Sequence, residues 1–284
     1  MARRLTCALA LLLAGAANAG GGVFVLEDAD NRVYIAGSIH MLKPEDAALS
    51  PPVLAAYADA ERLVFELDLD DIDQAALAQQ MLGRGMRSDG GTLSASLPQR
   101  TRAQLATEAA RLGLPLQFLD SMEPWLGALV LTSVDLVRRG YRPESGVDQQ
   151  LAERARADRK PVTGLETPSE QFDVFAQLTP AQQLKFLQMT LDELERAEEE
   201  IAKLQAAWKS GDLRRLEAEL TDSFRDFPEL EAALLTSRNR RWVPQLRALL
   251  AADDDVLVVV GAAHLVGPHG LLELLREAGL AARP

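Results

Sequence analysis

One cysteine, three histidines and an aromatic content of 5% are all that the 284 residues offer of the side chains that most often announce chemistry. With a single thiol, Cys7, neither a disulfide framework nor a cysteine metal cluster can form. Positive charge is scarce as well. Lys and Arg number 30 against 42 Asp and Glu, a net charge of −12, which removes the electrostatic basis for binding nucleic acid or anionic lipid. Long apolar runs are missing after the first twenty residues, and the one that exists, Leu5 to Ala17, is too short to cross a bilayer. It follows the basic Arg3-Arg4 and precedes Ala17-Asn18-Ala19, a small-x-small cleavage pattern, so residues 1–19 are expected to be a secretory signal peptide. Cleavage there would remove Cys7 and leave residues 20–284 as one thiol-free domain, periplasmic or secreted, with no stable membrane span; an uncleaved signal anchor is the alternative. His-Glu-x-x-His, Gly-x-Ser-x-Gly and the usual phosphate-cradling glycine loops are all absent.

What is present is a repeat. Gly37-Ser38-Ile39-His40 and Gly261-Ala262-Ala263-His264 share one frame, each after an apolar run that reads as a buried strand, Val33 to Ala36 and Val256 to Val260. A proline, Pro44 or Pro268, stands four residues after each histidine. The glycine would permit a sharp turn at a strand end and set the imidazole on the rim of the sheet. A lone rim histidine is commonly structural, but two in one frame point to a shared task. The third, His269, reads as decoration at a helix starting near Pro268.

Hydrophobic residues make up 48% of the chain, enough for a full core. Short strands are expected over Val23 to Leu26 and Arg32 to Ala36, joined by the polar Glu27 to Asn31. A helix from Pro51 to Ala60 leads to a strand from Arg62 to Phe65 that stops at Glu66, a carboxylate that either caps a loop or shares the rim with His40. Asp70, Asp71 and Asp73 read as a solvated helix start. Helical spacing recurs over Leu77 to Leu82, Thr101 to Leu112, Trp125 to Arg139 and Asp148 to Ala157. Pro161 to Leu165 reads as a strand ending at Glu166. A long helix is expected from Thr179 to Trp208, its charges, including Glu198-Glu199-Glu200, forming a solvated face or a partner surface. Thr236 to Ala251 reads as a helix carrying Arg238-Asn239-Arg240-Arg241, which could hold a carboxylate substrate, buttress an active-site acid, or be ordinary surface charge. A helix from Pro268 to Ala278 closes the chain.

Two imidazoles and a carboxylate are a known ligand set for a hydrolytic metal with an open water position. Here they would have to converge from distant strand ends. Metal-assisted hydrolysis is the enzymatic chemistry these residue types leave open. The other readings are a non-catalytic protein binding a peptide, a metal or a haem-like ligand in the same cleft, and a purely structural repeat.

At these residues the chain resembles the TraB/PrgY/GumN family, which includes the Tiki metalloproteases. The resemblance is carried in order by Gly37 to Leu42, Val64-Phe65-Glu66-Leu67-Asp68, Gly146-Val147-Asp148-Gln149-Gln150-Leu151, Gly164-Leu165-Glu166-Thr167, Arg238-Asn239-Arg240-Arg241-Trp242 and Gly261 to Gly267. It looks most like the bacterial GumN-type branch, whose members are usually exported. The resemblance implies an α/β fold of mixed sheets and helices in two related halves, similar to erythromycin esterase and the ChaN-like proteins, with helical insertions and a last strand after Leu280. It also implies divalent-metal-dependent peptide cleavage, with manganese or cobalt favoured; zinc and iron suit the same donors. Carried onto this chain, His40 and His264 become metal ligands and Glu66 a ligand or the general base. Glu166, Asn239 and Arg240 take supporting or substrate-orienting roles, and the substrate is a peptide or protein.

Overall fold

The computed structural model describes residues 22–68, 73–194, 196, 197, 201, 203, 204, 207, 208, 212–225 and 227–284. The expected signal peptide, Asp70, Asp71 and Glu198-Glu199-Glu200 lie outside the described residues. The protein is a mixed α/β structure. Among the described residues five strands form one sheet: β1 (Val23–Glu27), β2 (Arg32–Ser38), β3 (Arg62–Leu67), β4 (Val162–Glu166) and β5 (Val256–Gly261), in the order β1-β2-β5-β3-β4. β1 runs antiparallel to β2, and the other neighbours are parallel.

β5 is buried along its whole length, as its unbroken Val-Leu-Val-Val-Val run requires of a strand covered on both faces. Side chains alternate across it. Val256, Val258 and Val260 pack with Trp242, Leu246, Leu271 and Leu275 on one face, while Leu257 and Val259 join the larger core on the other. At roughly 1.5–3 kcal/mol for each fully buried aliphatic side chain, this strand anchors the sheet.

α1 (Pro51–Asp59) carries the chain from β2 to β3. Between β3 and β4 run α2 (Gln74–Gly85), α3 (Leu93–Ser96), α4 (Gln99–Arg111), α5 (Leu116–Asp120), α6 (Pro124–Arg138) and α7 (Val147–Asp158). Between β4 and β5 run α8 (Pro168–Ala176), α9 (Pro180–Leu194), α10 (Leu213–Phe224), α11 (Pro228–Glu231), a π-helical turn (Ala232–Thr236) and α12 (Ser237–Leu250). α13 (Leu271–Glu277) follows β5. Asp73 caps α2 through Ala75 and Ala76 N–H, the helix start its charge suggested. The chain then returns to the sheet, where Arg283 and Val25 exchange backbone hydrogen bonds of 2.9 and 2.7 Å, so the expected last strand is a single antiparallel bridge on β1.

Three expectations are corrected. The helix expected from Thr179 to Trp208 is interrupted: α9 ends at Leu194 and Arg196 sits in a turn, although no glycine or proline marks the break. The last helix begins at Leu271, not Pro268, because Asn239 Nδ2 donates to the carbonyls of His264 and His269 and holds that stretch as a turn. The glycines of the repeat are not turn residues. Gly37 lies within β2 and Gly261 ends β5, and neither has a positive φ.

Candidate functional site

The parallel strands all end on one edge of the sheet, the edge at which open α/β sheets bind ligands. Their register aligns the functional residues: Ser38 pairs with Gly261, Phe65 with Val259, and Leu67 with Glu166. His40, Glu66, Glu166 and His264 therefore leave the sheet at its C-terminal edge, within β3 and β4 or just beyond β2 and β5.

After β2 the chain is pinned to the stretch before α7. Val147 N–H donates to the Ile39 carbonyl at 2.8 Å, and Leu42 and Arg142 form an isolated bridge. Gly146 makes this approach possible, since a Cβ there would lie 2.4 Å from the His40 carbonyl oxygen. The first turn of α7 is thereby set against the histidine, and Asp148 Oδ2 meets His40 Nδ1 at 3.0 Å. Burial opposes protonation of His40, but Asp148 and, beyond it, Glu66 outweigh it and raise the pKa to about 9. The pair leaves Nε2 as the nitrogen that faces the cavity, the orientation that carboxylate–histidine pairs give to a reactive or ligating imidazole.

His264 lies in a one-turn 3-10 helix (Ala262–His264) after β5 and is 3% exposed. Because Asn239 Nδ2 donates to two carbonyls, its Oδ1 is the acceptor 2.6 Å from His264 Nδ1. The proton thus belongs on Nδ1 and the lone pair on Nε2, which receives Arg238 Nη1 at 3.0 Å. Burial and the Arg238 charge pull the His264 pKa down to about 3, so the ring is neutral. Trp242 packs against it with ring centres 4.4 Å apart.

Arg238 ties the site together. It grips Glu166 through Nε and Nη2 and donates to Glu66 Oε2 from Nη2 at 2.6 Å. Glu66 also accepts from Gly261 N–H at 2.7 Å through Oε1. Burial would favour a neutral Glu66, but Arg238, with His40 and this N–H, holds its carboxyl well below the usual carboxylate range. Arg241, at 3.2 Å, completes the neutralisation of Glu166.

The structure brings His40, Glu66 and His264 together, with Asn239 behind His264 and Glu166 behind Arg238. It does not bring Arg240, which is exposed. Two residues along a helix is a rotation of about 200°, so Arg240 points away from the side chain that enters the site. The supporting role expected of Arg240 falls to Arg238, and this corrects the expectation. His269 is exposed and contributes only its carbonyl. Sequence reasoning gave Asp148 and Ser38 no role. The signal for both was their place in the motifs that carry the resemblance, Gly37 to Leu42 and Gly146 to Leu151, and Asp148 also stands at a helix start.

The fit to a divalent cation turns on lone pairs. A Cβ at Gly261 would lie 3.1 Å from Glu66 Oε1, 3.6 Å from His40 Nε2 and 3.6 Å from His264 Cδ2, so the three side chains converge on the space that this glycine leaves open. Two imidazole nitrogens and a carboxylate are the right chemistry for such an ion. The Nε2 of His264 already takes an Arg238 N–H, however, and among the described residues no group of three or more His, Cys, Asp or Glu is arranged to hold a metal ion. A third ligand from His264 would require that N–H to yield.

These groups open on a cavity of about 430 Å³. It is lined by His40, Glu66, Asp148, Arg238 and His264 and by the apolar side chains of Ile39, Leu129, Phe172 and Phe175, among others.

The uncharacterized protein YbaP of Escherichia coli strain K12 and the protein of the same name in Shigella flexneri are each 26% identical to this chain over 243 residues, covering 86% of it and 87% of the relative. No solved structure matches the chain significantly. Residues 23–284 match the TraB/PrgY/gumN family throughout, and with its Gly-x-x-His strands meeting at one sheet edge, the chain belongs to that family.

Proposed function

We propose that this protein is an exported, metal-dependent hydrolase, a peptidase, working at the cavity on the C-terminal edge of the sheet. The observation that carries the reading is the convergence of His40, Glu66 and His264 on the space above Gly261. His40 Nε2, on giving up the proton that its raised pKa keeps there, and Glu66 Oε1 would hold the cation, with His264 Nε2 joining once Arg238 Nη1 releases it. A bound divalent ion supplies polarisation of a carbonyl and a water of lowered pKa. The chain's own residues do the rest. Asp148 fixes the His40 ring, Asn239 fixes the His264 tautomer, and Arg238 keeps Glu66 ionised and oriented. The apolar wall keeps bulk water from the reacting group.

Elemental analysis of protein purified without chelator and loaded with manganese, cobalt, iron or zinc tests the site. About one ion per chain is expected for the wild type, and none for the His40→Ala/His264→Ala double variant. No retention by either protein would remove the mechanism. A second reading, non-catalytic binding of a peptide, metal or haem-like ligand, draws on the engagement of Glu66 and the His264 lone pair by Arg238. Saturable binding without product after long incubation would select it.

A further inference from the structure

Two helices flank the cavity without sinking into the core. α8 borders it with Gln171, Phe172 and Phe175, yet none of its nine residues is buried. α2 packs against α8, and among its described residues no side chain is buried; Leu82 is 44% exposed. Arg84 joins the pair, its Nε meeting Asp173 Oδ1 at 2.9 Å and its Nη2 donating to Ser169 Oγ at 2.7 Å.

α8 is fixed at its ends and held lightly between them. Glu166, just before it, is gripped by Arg238, and Leu178, just after it, is buried. Reciprocal side-chain caps, Thr167–Glu170 on α8 and Thr179–Gln182 on α9, satisfy both helix starts from within, so α8 keeps its own hydrogen bonds when it moves. Toward the site, Gln171 Nε2 donates to Glu66 Oε2 at 3.4 Å, a long bond to an oxygen that Arg238 Nη2 already holds at 2.6 Å. Phe175 rests on Trp125 and Phe186, each ring centre 5.8 Å from its own. That contact is apolar and undirected, so it can part and re-form without stranding a polar group. α2 is anchored at its C-terminal end, where the Gly85 carbonyl accepts the Glu123 N–H at 2.7 Å and a Cβ on Gly85 would stand 2.5 Å from Leu126 Cδ2.

We infer that α2 and α8 form a lid on the cavity. α8 swings about the line from Glu166 to Leu178, α2 follows through Arg84 from its pivot at Gly85, and the Gln171–Glu66 bond is the latch of the closed state. Segments with few buried side chains open at far less cost than global unfolding, which is what a moving lid requires. The lid governs access to the cavity that the hydrolase reading assigns to catalysis, and it rests on that reading for its purpose alone.

Hydrogen–deuterium exchange of the purified protein near neutral pH is the test. In the wild type the hydrogen-bonded amides of α2 and α8 should share one protection factor, at least about a hundredfold below that of α6 and α9, whose inner faces are buried. Gln171→Glu sets a second carboxylate beside Glu66 and should lower the protection of both helices about tenfold, leaving α6 and α9 unchanged. Gln171→Leu, which removes only the long bond, should change it by about threefold at most. Arg84→Met should split the shared value, so that α8 loses protection while α2 does not follow. Protection of α8 equal to that of α6, no change in Gln171→Glu, or a loss spread over α6 and α9 would overturn the lid. A value still shared in Arg84→Met would do the same, even if Gln171→Glu does not fold. Exchange is read without metal, substrate or product. A missing ion or missing product therefore overturns only the hydrolase reading, and uniform protection overturns only the lid.

Discussion

Arg238 directs its guanidinium wholly into the protein, which makes it part of the site's framework rather than a hand for substrate. Its removal would strand Glu66 and Glu166, which are 7% and 6% exposed, leaving the half-exposed Arg241 beside Glu166 and only His40 and the Gly261 N–H beside Glu66. Buried carboxylates without a partner cost more than the pair contributes, so Arg238→Met should lower stability by about 3–5 kcal/mol in urea unfolding. A loss under about 1 kcal/mol would mean that water or another cation reaches the carboxylates. Asn239 has a subtler part, since its amide selects which nitrogen of His264 carries the proton.

At the scale of elements, the site depends on how α7 meets β2. Gly146 is the contact point, and the backbone of His40 cannot give way easily because it is tied to residues 142–147. Gly146→Ala should therefore destabilise the protein by about 1–3 kcal/mol and draw Asp148 away from His40, visible as a lower melting temperature and a loss of metal retention. The far end of α7 is secured differently. Tyr57 on α1 donates to Asp158 Oδ2 at 2.6 Å, and the Lys160 ammonium lies 4.6 Å from the Tyr57 ring centre. Burial, followed by the Asp158 hydrogen bond, pushes the Tyr57 phenol up, with Arg154 opposing. A group whose folded pKa is raised contributes stability that is complete below its unfolded value, about 10, and is lost as pH rises beyond it. The urea midpoint should fall from pH 9 to pH 11, and Tyr57→Phe should flatten that fall while costing about 1 kcal/mol at neutral pH. An equal slope in both proteins would show that α1 and α7 are held without this bond.

For the whole molecule, the consequence of a cation site is linkage between metal and folding. An ion bound only by the native state stabilises it by about 2.7 kcal/mol at a hundred times its dissociation constant. Manganese or cobalt should accordingly raise the melting temperature of the wild type and leave that of the His40→Ala/His264→Ala variant unmoved. A shift of equal size in both would locate the ion elsewhere, on a chain whose net charge of −12 offers many weak seats.

Much of this was legible in the residues alone, for local reasons. The apolar runs of β2, β3 and β5 mark buried strands because only a covered sheet tolerates them, and the repeated Gly-x-x-His marked two of the groups that meet. The interruption after α9 was not legible, because helical spacing continues through it. Nor was the choice between Arg238 and Arg240, which depends on the rotation of α12 about its axis and hence on how Trp242 and Leu246 pack against β5. The sequence by itself determined the strands and the chemistry they carry, since periodicity and side-chain type are properties of neighbouring residues. Only the tertiary structure decided that Asp148 orients His40, that Arg238 stands beside Glu66, and that α8 borders the cavity. The first two join residues 108 and 172 positions apart, and register and packing alone set them.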